Sequence, residues 1–245
     1  MTAIPTPTAR SAYAVIFFVL ACACGVCAGA AAGNGNWLGI APGWMAVAFL
    51  SLAAAYAGVG PRVFGKRDTG RQSPVSRVLF APYFMLNAVV WQVHRAVSRE
   101  PAFAEVVPNL FFGRRLTNLE ARTAAARVGW HAVLDLAPEF AEAPALRTLP
   151  GHRSLPVLDA TAPDPDLLRE AVRWLAVAVA AGPTYVHCAL GHGRTGTVVV
   201  AYLLATGAAP SVADGVRLLR SHRPGVRLSR TQRDAVATFA GSRVT

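Results

Sequence analysis

Apolar and polar positions along the 245-residue chain fall into two regimes. Residues 11–32, SAYAVIFFVLACACGVCAGAAA, carry no charge and form an apolar run long enough to cross a bilayer as a helix. A GNGN turn follows. Residues 37–60, WLGIAPGWMAVAFLSLAAAYAGVG, are again uncharged, with Trp37 and Trp44 placed as interface anchors. The pattern predicts a transmembrane helical hairpin over residues 1–60. A cleaved signal peptide is the rival reading of the first run, given Arg10, the apolar core and small residues at 28–30. The second run keeps the chain at the membrane in either case.

Residues 61–103 read as a basic linker followed by one further helix. The stretch PRVFGKRDTGRQSPVSR carries Arg62, Lys66, Arg67, Arg71 and Arg77, whereas the turn between the two apolar runs has no Lys or Arg. By the positive-inside rule that stretch is cytoplasmic. The next uncharged run, residues 78–93, is short for a span, contains Pro82 and Asn87, and has arginines on both sides. It therefore favours a helix lying in the membrane interface. The alternative, a third span, would put everything downstream outside.

From residue 104 to 245 the periodicity changes to that of an α/β domain. VVPNLFFG reads as a short strand ending in a turn, WHAVLDLA as a buried strand, and TYVHC as another. TNLEARTAAARVG has an N-cap candidate at Thr117, Glu120 three residues on, and a terminal glycine. DPDLLREAVRWLAVAVAAG is a helix with acids in its first turn. RTGTVVVAYLLATG reads as a buried helix, and PSVADGVRLLRSHRPG and SRTQRDAVATFAGS as amphipathic ones. Strands alternating with helices imply a central, mostly parallel sheet flanked by helices.

Composition sharpens this picture at three points. Mean hydropathy is +0.38, above what the α/β part alone would need, in keeping with a membrane segment. Net charge is +11, carried almost wholly by arginine, with Lys66 the single lysine. Such a balance suits anionic partners, and no basic run interleaved with aromatics points to nucleic acid. Cys22, Cys24 and Cys27 lie inside the first apolar run and read as small membrane-helix residues. Cys188 stands alone in the C-terminal part, without a local disulfide partner, as expected in a reducing compartment.

The candidate chemistry centres on YVHCALGHGRTGT, where a strand ends, a glycine-rich turn follows and a helix begins. In open α/β sheets ligands bind beyond the C-terminal ends of the strands. A helix starting near Arg194 directs its free N–H groups and dipole at the same place, which makes an anion site. Gly191, Gly193 and Gly196 permit torsions that let backbone N–H groups converge, so the loop Ala189, Leu190, Gly191, His192, Gly193, Arg194 reads as a phosphate cradle. The same field favours a thiolate over a thiol, and the Arg194 fork can hold two phosphate oxygens. Cys188 is thus placed to attack phosphorus in line. The leaving oxygen needs a proton. Asp159, at the end of LPVL, is the favoured acid, with Asp164 and Asp166 as alternatives that better fit the first turn of the next helix. Ionised Asp159 can then activate water, while the Thr195 hydroxyl stabilises the departing sulfur. A nucleotide-binding loop is excluded by the missing Gly-Lys-Ser/Thr. A zinc site from His187, Cys188 and His192 lacks ligands and spacing. His187 reads as a buried donor orienting the loop, and His192 as a residue at the pocket mouth.

HCALGHGRTG resembles the cysteine–five residues–arginine–Ser/Thr signature of the protein tyrosine phosphatase superfamily, and the compact domain looks like its dual-specificity branch. VVPNLFFGR is similar to the family's entry strand, LPVLDAT to its general-acid loop and SHRPGVRLSRTQ to its closing helices. The resemblance implies Cys188 as nucleophile, Arg194 as phosphate binder, Asp159 as general acid, Thr195 as hydroxyl helper, and no metal or other cofactor. LDATAPDPDLLREAV is also similar to the phosphatidylglycerophosphate phosphatase branch. Phosphoinositide phosphatases of the superfamily often carry lysines in the signature loop. Ala189 and His192 stand there instead, which argues against a polyphosphorylated inositol headgroup. The expected function is hydrolysis of phosphate monoesters at a membrane, on a phosphoprotein or a phospholipid, with membrane lipids as further partners. The alternative is a non-catalytic, membrane-tethered phosphate-binding module.

Overall fold

A computed structural model of the chain describes residues 9–242. It resolves into two compact units: Met1–Gly65 with Gln72–Val89, and Lys66–Arg71 with Val90–Thr245. The basic stretch is thus divided, its central six residues folding with the α/β part.

In the first unit, helix α1 (Ala9–Gly33) turns back through Asn34–Asn36 and a 3₁₀ turn into α2 (Ile40–Ala54), which continues as a π-helical turn to Val59. The Asn36 side chain accepts from the Leu38 N–H at 3.0 Å and starts the return. Small residues line the helix contact. A Cβ on Gly39 would sit 3.0 Å from the Ala28 carbonyl oxygen, the close approach by which membrane helices pack. Among the described residues, Arg10–Gly33 and Trp37–Val59 are long and apolar enough to cross a membrane. The run at 78–93 is not one helix. Helix α3 (Pro74–Leu79), capped by Ser73, stops before Phe80, and α4 (Ala81–Val97) begins there with Pro82 in its first turn, the one place where proline costs a helix no hydrogen bond.

The second unit is built on a five-stranded sheet in the order β1-β2-β5-β3-β4, from β1 (Phe103–Val107), β2 (Leu110–Arg114), β3 (Ala132–Asp135), β4 (Gly151–Ser154) and β5 (Thr184–Cys188). Only β1 runs antiparallel, paired with β2; the other three pairings are parallel. The segment expected to be one strand and a turn is a hairpin turning at Pro108–Asn109, where Asn109 takes the left-handed conformation (φ 66°) that asparagine tolerates.

Alternation along the strands sorts the core. Leu110, Phe112, Leu134, Val186 and Cys188 face α7 (Pro165–Ala181), α8 (Gly193–Ala205), α9 (Val212–His222) and α10 (Arg230–Gly241). Val133 and Tyr185 face the other way, toward α5 (Asn118–Val128) and the short α6 (Pro144–Arg147). Helix α5 opens with a complete capping box between Thr117 and Glu120 and closes on left-handed Gly129. Because successive side chains point to opposite faces, His187 and Cys188 serve different sides of one strand end.

Candidate active site

The loop after β5 is shaped by what holds its carbonyl groups. The Ala189 carbonyl accepts from the Arg115 N–H at 3.0 Å. Arg223 donates to the Leu190 carbonyl at 3.1 Å and the Gly191 carbonyl at 2.9 Å, and its Nε donates to the Pro101 carbonyl. In a planar trans peptide the N–H points opposite to the C=O. Pulling three successive carbonyls outward therefore turns the N–H groups of residues 190–192 inward. The Gly191 N–H duly reaches the Cys188 Sγ at 3.3 Å. Gly191 has φ +74°, and a Cβ there would collide with the Gly113 carbonyl and the Arg223 guanidinium. Helix α8 starts directly behind the loop, at Gly193, with its N-terminal partial charge toward the sulfur.

Arg194, in the first turn of α8, is almost wholly buried. Its Nη1 and Nη2 donate to the two Glu139 oxygens at 2.9 and 2.6 Å, and Nη1 also donates to the Val157 carbonyl. Its Nε is buried with no hydrogen-bond partner among the described residues. The expected fork toward phosphate is thus held by Glu139, and the edge free for an anion is the Nε side. Burial opposes its charge, but Glu139, Asp159 and Cys188 together raise its pKa further above the ordinary guanidinium value.

Asp159 lies in the exposed turn after LPVL, with its Oδ1 3.1 Å from Arg194 Nη2. Of the two alternatives, Asp166 pairs with Arg169 at 2.6 Å, and Asp164 is the N-cap residue of α7, where its side chain makes no capping hydrogen bond. The Thr195 hydroxyl is buried with no hydrogen-bond partner among the described residues. Gln232, in the capping box of α10, donates to the Thr161 carbonyl at 2.9 Å and packs beside Gly193, so it ties the Asp159 turn to the start of α8.

His187 points away from Cys188, to the α5–α6 face. Its Nε2 lies 2.5 Å from the Glu142 carboxylate and its Nδ1 3.2 Å from the Cys188 carbonyl. Two acceptors require two donors, so the ring is the imidazolium. Burial alone would lower its pKa, but the charge and hydrogen bond of Glu142 override it and raise the value. Glu142 is held low in turn: burial pushes it up, His187 and Lys66 pull it down. His192, expected at the pocket mouth, is bound to the Glu100 carboxylate at 2.7 Å, with its ring edge against His94. Burial, joined by the charges of Arg223 and Arg227, lowers its pKa against the pull of Glu100.

Glu139, Glu142, Arg223, Glu100 and Gln232 were missed from the sequence. The signal for the first two was available: acids inside the apolar stretch LDLAPEFAEAPAL are costly to bury unless paired.

A mostly parallel sheet ending in a thiol, an inward-turned amide loop and an arginine at a helix start define a phosphatase of the dual-specificity class. Residues 106–240, more than half of the chain, match the family described as PTP-SAK, Swiss Army Knife protein, DSP-PTPase phosphatase domain. The chain belongs to that family and is a phosphoric monoester hydrolase, which sets aside the non-catalytic reading. No curated protein matches it in sequence. Among solved structures it is similar to Tk-PTP in the active form, at 25% identity over 58% of this chain and 97% of that one, with a TM-score of 0.52. It is also similar in fold to PTPMT1 in complex with PI(5)P, at 16% identity over 59% of this chain and 100% of that one, with a TM-score of 0.52.

Proposed function

We propose that this chain is a membrane-anchored, cysteine-dependent phosphatase acting on a phosphate monoester presented at the bilayer. The Cys188 sulfur attacks phosphorus as the P–O ester bond breaks, and Asp159 gives its proton to the leaving oxygen. Asp159, now a carboxylate, takes a proton from water. That water oxygen bonds to phosphorus, the S–P bond breaks, and the Thr195 hydroxyl donates to the departing sulfur. Inward N–H groups and the Arg194 Nε stabilise the charge that develops on the equatorial oxygens. The observation that carries this reading is the Gly191 N–H on the Cys188 Sγ, in a loop whose carbonyls are held by Arg115 and Arg223, together with the buried Arg194 Nε that has no hydrogen-bond partner among the described residues.

Membrane anchoring is supported by the two apolar helices. An interfacial α4 is supported by the exposed apolar residues Met85, Leu86, Val89, Val93 and Val97 along one stripe. Residues 1–60 are then the hairpin, 61–103 the linker and interfacial helix, and 104–245 the catalytic domain. A cytoplasmic catalytic domain is supported by Arg62, Arg67, Arg71 and Arg77. PTPMT1 is seen with PI(5)P, and a lipid phosphate would give the tether a direct purpose.

The test uses full-length protein in detergent, assayed side by side on a phosphotyrosine peptide and phosphatidylglycerophosphate. Wild type should hydrolyse a phosphate monoester and Cys188→Ser should not, while still binding tungstate. Near-normal turnover by Cys188→Ser would sink the cysteine mechanism, and the preferred substrate decides between protein and lipid.

A further inference from the structure

The single lysine of the chain lies in the wrong place for a linker residue. The Lys66 side chain is about 1% exposed, and its ammonium is bound to the Asp135 carboxylate, whose side chain is also about 1% exposed, and to the Ala137 carbonyl. Residues 66–71 form a tight turn, with the Arg67 N–H on the Arg71 carbonyl at 2.8 Å and the Gly70 N–H on the Arg67 carbonyl at 2.8 Å. The Gly70 carbonyl then accepts from the Glu142 N–H at 2.8 Å. Gly70 has φ +71°, and a Cβ there would lie 2.8 Å from Glu142 Cβ and 2.9 Å from the His152 ring, so only glycine admits this approach.

These contacts grip one loop from outside. Asp135 ends β3, and its second oxygen accepts from the Ala137 N–H at 3.0 Å, which fixes how the chain leaves the sheet. Residues 138–143 follow. Their inner side carries Glu139, bound to Arg194, and Glu142, bound to His187. Asp135, Glu142 and His152 bring three ligand-type groups within 4.8 Å of one another, and the cation bound to Asp135 is the Lys66 ammonium.

We propose that residues 66–71 are a strap that positions the Glu139–Glu142 loop through Lys66 and Gly70, coupling the membrane-proximal linker to the phosphate site. Lys66 is a positioning residue: it acts on Arg194 and His187 only through that loop. Chain connection makes the strap continuous with the apolar helices, since Gly65 and Gln72 on its two sides belong to the other unit. Coupling is reciprocal. An anion held by Arg194 must stabilise the docked strap, and a docked strap must favour anion binding. The inference rests on the catalytic reading of Arg194.

Lys66 being the only lysine makes the strap directly readable. The full chain in detergent is treated with an amine-reactive ester, and modification of Lys66 is followed by peptide mapping with and without saturating tungstate. Coupling predicts that tungstate slows Lys66 modification by at least about fivefold. A companion variant, Lys66→Met with Asp135→Asn, leaves no unpaired buried charge and keeps the acceptor for the Ala137 N–H. It should unfold cooperatively, bind tungstate at least about fivefold more weakly, and lose kcat more than it changes KM. Tungstate bound normally with an unchanged Lys66 rate, or a folded double variant with wild-type tungstate affinity and kcat, would overturn the strap alone. Failure of wild type to bind tungstate would overturn the catalytic reading, and the strap with it.

Discussion

Glu139→Gln isolates what holds Arg194, the arginine proposed to bind phosphate. Glu139 accepts two charge-assisted hydrogen bonds from Arg194, at 2.9 and 2.6 Å, with both side chains about 2% exposed. Glutamine keeps the shape and one acceptor, but turns an amide N–H against a guanidinium N–H. One charge-assisted bond is lost, worth about 1.5–3 kcal/mol, and Arg194 loses its buried counter-charge. The remaining acceptors are the Val157 carbonyl at 3.0 Å and the exposed Asp159 carboxylate at 3.1 Å. The guanidinium should therefore turn toward Asp159, swinging its unpartnered Nε edge out of place and engaging the carboxylate proposed as the general acid. If the loss falls on the transition state, kcat/KM drops roughly 10- to 150-fold at about 1.4 kcal/mol per factor of ten. The assay is kcat/KM on an aryl phosphate, with the tungstate Kd and thermal unfolding measured on the same preparation. A folded variant with kcat/KM within about threefold of wild type and unchanged tungstate affinity would refute the argument that Glu139 aims Arg194.

Three further outcomes are expected. Asp159→Asn should slow alkyl phosphates by about 10²–10⁴-fold and activated aryl phosphates far less; the same pattern in Asp164→Asn but not in Asp159→Asn would move the acid to Asp164. Thr195→Val should leave stability unchanged or slightly higher, because the buried hydroxyl has no partner to lose, and should let a phosphoenzyme accumulate, visible as a burst of the leaving group. The raised pKa of His187 means that its pairing with Glu142 stabilises fully below the ordinary imidazole value of about 6.5 and is lost as pH climbs through the raised value; thermal midpoints should fall on the alkaline side, and Glu142→Gln should flatten that slope.

The helices of the α/β unit were legible because each carries its own punctuation: Thr117 with Glu120 at the start of α5, Gly129 at its end, and a clear apolar stripe on α7. β4 was not legible, because GHRS is polar and becomes a strand only by pairing with β3 at the sheet edge. The hairpin hid behind an apolar run broken only by Pro108–Asn109. At the site, spacing alone singled out Cys188 and Arg194, which lie on one strand end and the helix after it. Glu139, Glu142 and Arg223 reach the loop from 55, 45 and 32 residues away in sequence, so no local pattern joins them to it. The bond of His192 was hidden for the same reason: its partner Glu100 lies 92 residues upstream.

The solitude of Cys188 has a consequence for damage and repair. The remaining cysteines, Cys22, Cys24 and Cys27, lie in α1, in the other unit. A peroxide that converts the Cys188 sulfur to a sulfenic acid finds no neighbouring thiol in the catalytic unit with which to close a protective disulfide. Within the catalytic unit two reversible exits remain: condensation with a backbone nitrogen of the loop, or capture by a soluble thiol small enough to reach Cys188, a residue about 3% exposed. Further oxidation to the sulfinic state would be permanent. Return of an oxidised Cys188 to the thiol from either of the reversible states would draw on the thiol pool around the protein.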